Sequence, residues 1–203
     1  MKKNKDIMPD DIYNRLQIIA NDEEVQKIRN FIKSRNQKKT DQTIDFNRIV
    51  PMPDLIRKTN APDENNFKTI IFQNNSITEE QQKIIKETND YNERIAFQLR
   101  YNKYIYGSTN WYDWAYQNWG TKWNAYYCGS SRDTLNTIYF CTAWTSPIIV
   151  IKKLSEIFPL AIFILTFEES MSGADQGRIK MQNGHVLEIK GNGYYKFFNT
   201  FTQ

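Results

Sequence analysis

At 203 residues with 40% hydrophobic side chains, the chain can bury one core, and its net charge of +4 is too small to demand a nucleic-acid partner. Two cysteines and one histidine cannot make a four-ligand zinc site without carboxylates, and no metal-ligand spacing is present, so neither metal nor cofactor is expected. No apolar run approaches the ~18 residues of a membrane span, and no apolar stretch follows the charged opening Met1–Asp6. The expected location is therefore the cytoplasm.

Residues 1–10 lack apolar periodicity and read as a flexible N-terminal extension. Ile12–Ile19 alternates apolar and polar, the pattern of a half-buried strand. Asn21, with Glu24 three residues on, caps a helix whose buried stripe is Val25, Ile28, Phe31 and Ile32. Residues 44–50 are expected to form a short strand, stopped by Pro51 and Pro53 because proline supplies no ladder donor. Residues 57–68 read as an exposed loop. Thr78 opens the longest expected helix, buried along Ile84, Thr88, Tyr91 and Ile95 and running to about Arg100.

Four of the five tryptophans then fall between residues 111 and 123, in Trp111-Tyr112-Asp113-Trp114-Ala115-Tyr116-Gln117-Asn118-Trp119-Gly120-Thr121-Lys122-Trp123. Asn110 is a fair N-cap, and Gly120 stands where a left-handed C′ glycine ends a helix. Trp114 and Trp119 are assigned to the core. Trp111, Lys122 and Asn124 are assigned to an accessible rim, with Trp144 and Tyr126 as further candidates on neighbouring strands. These five are the candidate binding residues.

Residues 124–129 and 137–144 read as two strands joined by the turn Ser130–Asp133. Ser146-Pro147 is a helix start, with a hydroxyl cap and proline at N1. That helix reaches Ile157 and buries Ile148, Ile151, Leu154 and Phe158. Residues 160–167 are apolar on both faces, hence a central strand. Met171–Asp175 loops out. Asn183-Gly184 joins 177–182 to 185–190 as a hairpin, and 194–198 closes the chain with an aromatic cluster. With 36–123 removed as a mainly helical insertion, the order is βαββαβ plus a hairpin. The expected fold is therefore a single α+β domain with a ferredoxin-like split sheet, both helices on one face, and a C-terminal β-hairpin.

Several blocks occur in one order along the chain: Met8-Pro9-Asp10-Asp11-Ile12-Tyr13-Asn14-Arg15-Leu16, Asp45-Phe46-Asn47-Arg48-Ile49-Val50-Pro51-Met52-Pro53, Trp111-Tyr112-Asp113-Trp114, Asn118-Trp119-Gly120-Thr121-Lys122-Trp123-Asn124 and Thr142-Ala143-Trp144. Together they resemble the YubB-like ferredoxin-fold proteins of phages and conjugative plasmids. Members usually open Met-Pro-Asn-Trp-Cys, whereas this chain has Asp10, Asp11 and Ile12 there. The resemblance implies a mobile-element origin and supports the fold, and it brings no established activity.

Catalytic patterns are sparse. The glycines make no phosphate loop, and Cys128 and Cys141 read as reduced core thiols. A carboxylate-dependent enzyme would need Glu168, Asp113 and perhaps His185 to converge. The expectation is therefore a non-enzymatic phage or plasmid protein that binds a host defence protein, such as a CRISPR effector or nuclease, in the host cytoplasm. The alternatives are capture of a small signalling nucleotide in the tryptophan groove, and that enzyme; nucleic acid stays open as a partner and a membrane does not.

Overall fold

The computed structural model describes residues 10–35, 42–59, 91–170 and 176–191, with the backbone alone for 91–95. The expectations for residues 1–9, for most of the 57–68 loop, for the helix start at Thr78 and its stripe, for 171–175 and for 194–198 lie outside that set. The chain divides into two compact units, Met1–Pro51 with Asn118–Gln203, and Met52–Gln117. The helical insertion is thus shorter than 36–123, because residues 42–51 and 118–123 pack with the sheet.

In the sheet unit, β1 (Asp11–Ile19), β2 (Thr137–Ala143), β3 (Ile162–Glu169), β4 (Gln176–Gln182) and β5 (His185–Gly191) form one antiparallel sheet in the order β2-β1-β3-β4-β5. β3 is central, as its two-sided apolarity requires. Along β1, Ile12, Asn14, Leu16 and Ile18 are buried while Tyr13, Arg15 and Ile19 are exposed, so one face carries the core. The helices α1 (Asp22–Ile32) and α6 (Ile148–Ile157) supply Val25, Ile28, Ile32, Ile148, Ile151 and Leu154 to that core. Asn21 accepts the Glu24 N–H at 2.8 Å, the cap read from sequence.

Three local expectations are corrected. Residues 46–49 form a helical turn, α2 (Phe46–Ile49), and no strand. Asp45 caps it by accepting the Asn47 N–H at 3.0 Å, and Phe46 and Ile49 are both buried, a helical three-residue spacing. Residues 124–129 keep only one bridge, Tyr126 to Cys141. Tyr127 and Gly129 both have positive φ, 48° and 75°, which turns the chain off the β2 edge. Ser146 does not cap α6; Pro147 holds the cap position and the Ser146 hydroxyl donates to Asn14 Oδ1 at 2.9 Å. With 124–129 as its degenerate strand, the order still follows the split βαββαβ pattern, extended by the β4–β5 hairpin. Asn183 and Gly184 turn that hairpin at φ 48° and 73°, and the Gly184 N–H donates to Ser155 Oγ on α6.

The second unit contains α3 (Asp54–Arg57), α4 (Tyr91–Tyr106) and most of α5 (Trp111–Trp119). α4 runs past the expected Arg100 to Tyr106 and stops at Gly107, whose φ is 72°. α5 is capped as expected: Asn110 Oδ1 accepts the Asp113 N–H at 3.0 Å, and Asn110 Nδ2 donates to Asp113 Oδ2 at 2.8 Å.

Candidate functional site

Gly120 follows the last residue of α5 with φ 83°, a left-handed conformation that favours glycine, and a Cβ there would crowd Ile149 Cγ1 at 3.3 Å. Just before it, Trp119 is buried, its indole N–H donating to the Val50 carbonyl at 2.9 Å and its ring centroid 5.9 Å from that of Phe46. Just after it, the buried Thr121 donates to the Ala143 carbonyl at 3.0 Å, and Thr145 donates to the Gly120 carbonyl at 2.7 Å. Both ends of segment 119–121 are therefore locked into the sheet unit.

That lock presents the next residues outward. The Lys122 ammonium lies 4.3 Å from the Trp144 ring centroid and 4.8 Å from that of Trp123, an ammonium between two indoles. The Trp123 ring is 6.4 Å from Tyr126, and Tyr126 is 5.2 Å from Tyr127. Tyr126 is fixed by its backbone bridge to Cys141 and by a 2.6 Å hydrogen bond from its hydroxyl to Asp11 Oδ1. Burial, reinforced by the Asp11 carboxylate, raises the Tyr126 phenol well above its ordinary range. Trp123 is 39% exposed and Tyr127 75% exposed. Trp144–Lys122–Trp123–Tyr126–Tyr127 thus form a continuous aromatic and cationic ridge.

Backbone strain marks two members of the ridge. Trp144 has φ 65° and Tyr127 φ 48°, left-handed conformations that bulky residues rarely adopt. Trp144 is held there by its N–H to the Asp10 carbonyl at 2.9 Å.

The five sequence candidates separate. Lys122, Trp144 and Tyr126 meet in the ridge. Trp111 belongs to the other unit, where its N–H donates to Thr59 Oγ1 at 2.9 Å and its ring lies 5.9 Å from Tyr112. Asn124, expected on an accessible rim at a strand start, is half-buried and committed to structure. Its Oδ1 accepts the Phe46 and Ala125 N–H groups at 2.8 and 2.9 Å, and its Nδ2 donates to Asp45 Oδ1 at 2.7 Å. Both oxygen lone pairs are used, so Asn124 has no acceptor left for a ligand. Trp123 and Tyr127 carry the ridge's exposed area, and sequence reasoning passed over both. The aromatic density at 123–127 was the available signal; the positive φ at Tyr127 has no signature in residue type.

The catalytic groupings weighed from sequence do not assemble in the sheet unit. Glu168 pairs in register with Tyr13 and Gln176, whereas His185 pairs with Gln182 at the other end of β4, about 20 Å away at ~3.3 Å per residue. Cys141 lies on β2 and His185 on β5, the two edge strands. Burial pushes the Cys141 and Cys128 thiols up to about 11, away from thiolate chemistry. Among the described residues no group of three or more His, Cys, Asp or Glu side chains could hold a metal ion, and no helix is long and apolar enough to cross a membrane.

Residues 122–195, which include the ridge, match the family described as the ferredoxin-like domain in Api92-like protein. The fold is α+β and ferredoxin-like. Among solved structures the chain is similar to the crystal structure of a protein api92 from Yersinia pseudotuberculosis, at 12% identity over 91% of this chain and 98% of that one, with a TM-score of 0.49. No curated protein matches the chain.

Proposed function

We propose that the chain is a non-enzymatic binding protein whose ridge, Trp144–Lys122–Trp123–Tyr126–Tyr127, engages a protein partner. The observation that carries this reading is the pair of exposed aromatics, Trp123 and Tyr127, mounted on a locked segment with strained backbone at Tyr127 and Trp144. Tryptophan and tyrosine anchors of this kind dominate protein interfaces, and strain persists where the surrounding structure over-determines it for a purpose. A protein partner is favoured over a stacked nucleotide because the Lys122 ammonium already faces both indoles, where a base would have to lie. The resemblance to YubB-like proteins of phages and conjugative plasmids supports a mobile-element origin, and on that ground the partner is a host defence protein such as a CRISPR effector or nuclease, met in the host cytoplasm.

The experiment is to express the chain in a host carrying an active defence system and score protection of an incoming phage or plasmid. The double variant Trp123→Ala, Tyr127→Ala is compared at equal soluble level, and proteins captured on each are identified. Protection and capture are expected for the parent and lost in the variant. Equal protection by both overturns the ridge as the binding surface. A strong 260 nm excess in purified parent protein, removed by the variant, would favour the nucleotide reading.

A further inference from the structure

The helices of the sheet unit pack on one face of the sheet; the other face is open, with Tyr13 54% exposed and Arg15 and Lys190 exposed beside it. Residues directly opposite one another in an antiparallel pair share a face, so the register lays rows of side chains across all five strands. One row runs Tyr139, Arg15, Thr166, Arg178, Lys190, and the next Thr137, Gln17, Ile164, Lys180, Glu188. Arg132, in the turn before β2, places its guanidinium 4.5 Å from the Tyr139 ring centroid.

These two rows and Arg132 set five cations against one carboxylate, Glu188, a local excess equal to the +4 of the whole chain. Lys190 and Arg178 reach Glu188 at 2.6 and 3.4 Å. The hydrogen bond and charge of Lys190, then Arg178 and Lys180, hold the Glu188 carboxyl below its ordinary range. Among the described residues Arg15, Arg132 and Lys180 make no ion pair, and the Arg15 side chain has one hydrogen bond, to Thr166 Oγ1 at 3.5 Å. The other carboxylates of this face, Glu168 and Asp11, stand in the next rows toward the start of β1, and Asp11 accepts the Tyr126 hydroxyl.

We propose that this open sheet face binds single-stranded nucleic acid, apart from the exposed Trp123 and Tyr127 of the ridge. Arg15 and Lys180, with Arg178 and Lys190 on the strands beyond, take the phosphates. Tyr13 lies diagonal to Tyr139 across the β1–β2 pair, roughly 7–8 Å away. Its exposed ring, and the guanidinium plane of Arg132 on Tyr139, offer two plates on which bases stack. Charge alone would suit an acidic protein equally; the two plates favour bases. A duplex does not fit, because the row spans about 19 Å at ~4.8 Å per strand, whereas a major groove ~12 Å wide admits a helix or a two-stranded ribbon.

The test uses the full chain and fluorescence anisotropy between about 50 and 200 mM salt. The probes are labelled oligo-dT and oligo-U of about twelve nucleotides, a duplex of the same length, and poly-L-glutamate as competitor. At least one single strand is expected to bind saturably and more tightly than the duplex, and which one it is tells DNA from RNA. The slope of log K against log[salt] is expected near −2, at ~0.7 per phosphate contacted. Arg15→Gln with Lys180→Gln is expected to weaken binding about tenfold or more and to shallow that slope by about 1.4. Lys27→Gln with Lys153→Gln, an equal loss of charge on the helices, is expected to bind like the parent. Tyr13→Ala is expected to lose about fivefold or more at unchanged slope. No saturable binding, a duplex bound as tightly, or equal weakening by the two charge pairs overturns the proposal. Parent-like binding by Tyr13→Ala with ready displacement by poly-L-glutamate also overturns it, in favour of an acidic protein partner. The slope and the duplex comparison rest on the parent alone, so they decide even where a variant is unstable.

Discussion

Asn14, buried on the core face of β1, joins Ser146 at the entrance to α6 across 132 residues of chain, its Oδ1 accepting the Ser146 hydroxyl at 2.9 Å. Its Nδ2 donates to Thr142 Oγ1 and to the Ile12 carbonyl, both at 2.9 Å, and Thr142 in turn donates to the Thr145 carbonyl at 2.8 Å. One amide therefore fastens β1, β2 and the turn that carries Trp144. Asn14→Leu fills the volume but leaves the Ser146 hydroxyl without its acceptor and the Thr142 oxygen without its donor. We expect a loss of about 2–4 kcal/mol in urea unfolding, with Asn14→Asp also destabilising because a buried carboxylate cannot donate to Thr142.

Asn124→Ala is expected to cost about 2–3 kcal/mol, as it removes the acceptor of the Phe46 and Ala125 N–H groups and the donor to Asp45. The same unfolding measurement checks it. A cost under about 0.5 kcal/mol, the range of an ordinary surface change, would mean that Asn124 is free for binding.

Tyr127→Gly removes the Cβ that makes φ 48° unfavourable, a penalty of roughly 1–2 kcal/mol, against the extra chain entropy glycine loses. The variant is expected to equal or exceed the parent in stability by up to ~1 kcal/mol. It should nevertheless lose partner capture. Gain in one and loss in the other is the signature of strain kept for binding.

The pH dependence follows from the raised groups. The Cys128 and Cys141 thiols stand at about 11 in the folded chain, above the ~8.5 of an unfolded cysteine, and the Tyr126 phenol is raised above its unfolded value near 10. Each favours the protonated form when folded. Their contributions are therefore fully present below pH ~8.5 and are lost as pH rises toward and through 11. Urea midpoints are expected to hold between pH 7 and 8 and fall steadily above about 9. Tyr126→Phe should shallow that fall and cost about 1 kcal/mol at pH 7 through the lost hydrogen bond to Asp11. Iodoacetamide should label both thiols slowly at pH 7.5 until the chain unfolds.

What the sequence determined by itself was whatever short-range chemistry decides. The Asn21 and Asn110 caps, the stop at Gly120, the Asn183-Gly184 hairpin and the two-sided apolarity of β3 all depend on residues within a turn of one another, and all appear where they were read. Burial of Trp114 and Trp119 followed from their place on α5 before the glycine. Tertiary structure alone decided the rest, because distant partners outbid local preference. Asp45 could serve a strand or a cap until Asn124, 79 residues on, bound it and set α2. Ser146 had the chemistry of a helix cap, yet Asn14 was the better-placed partner. Residues 124–129 had strand composition, but Tyr127 and Gly129 take positive φ, and the segment keeps a single bridge to β2. The ridge could not be read from residue spacing, since it is assembled from segments that meet only when the sheet closes.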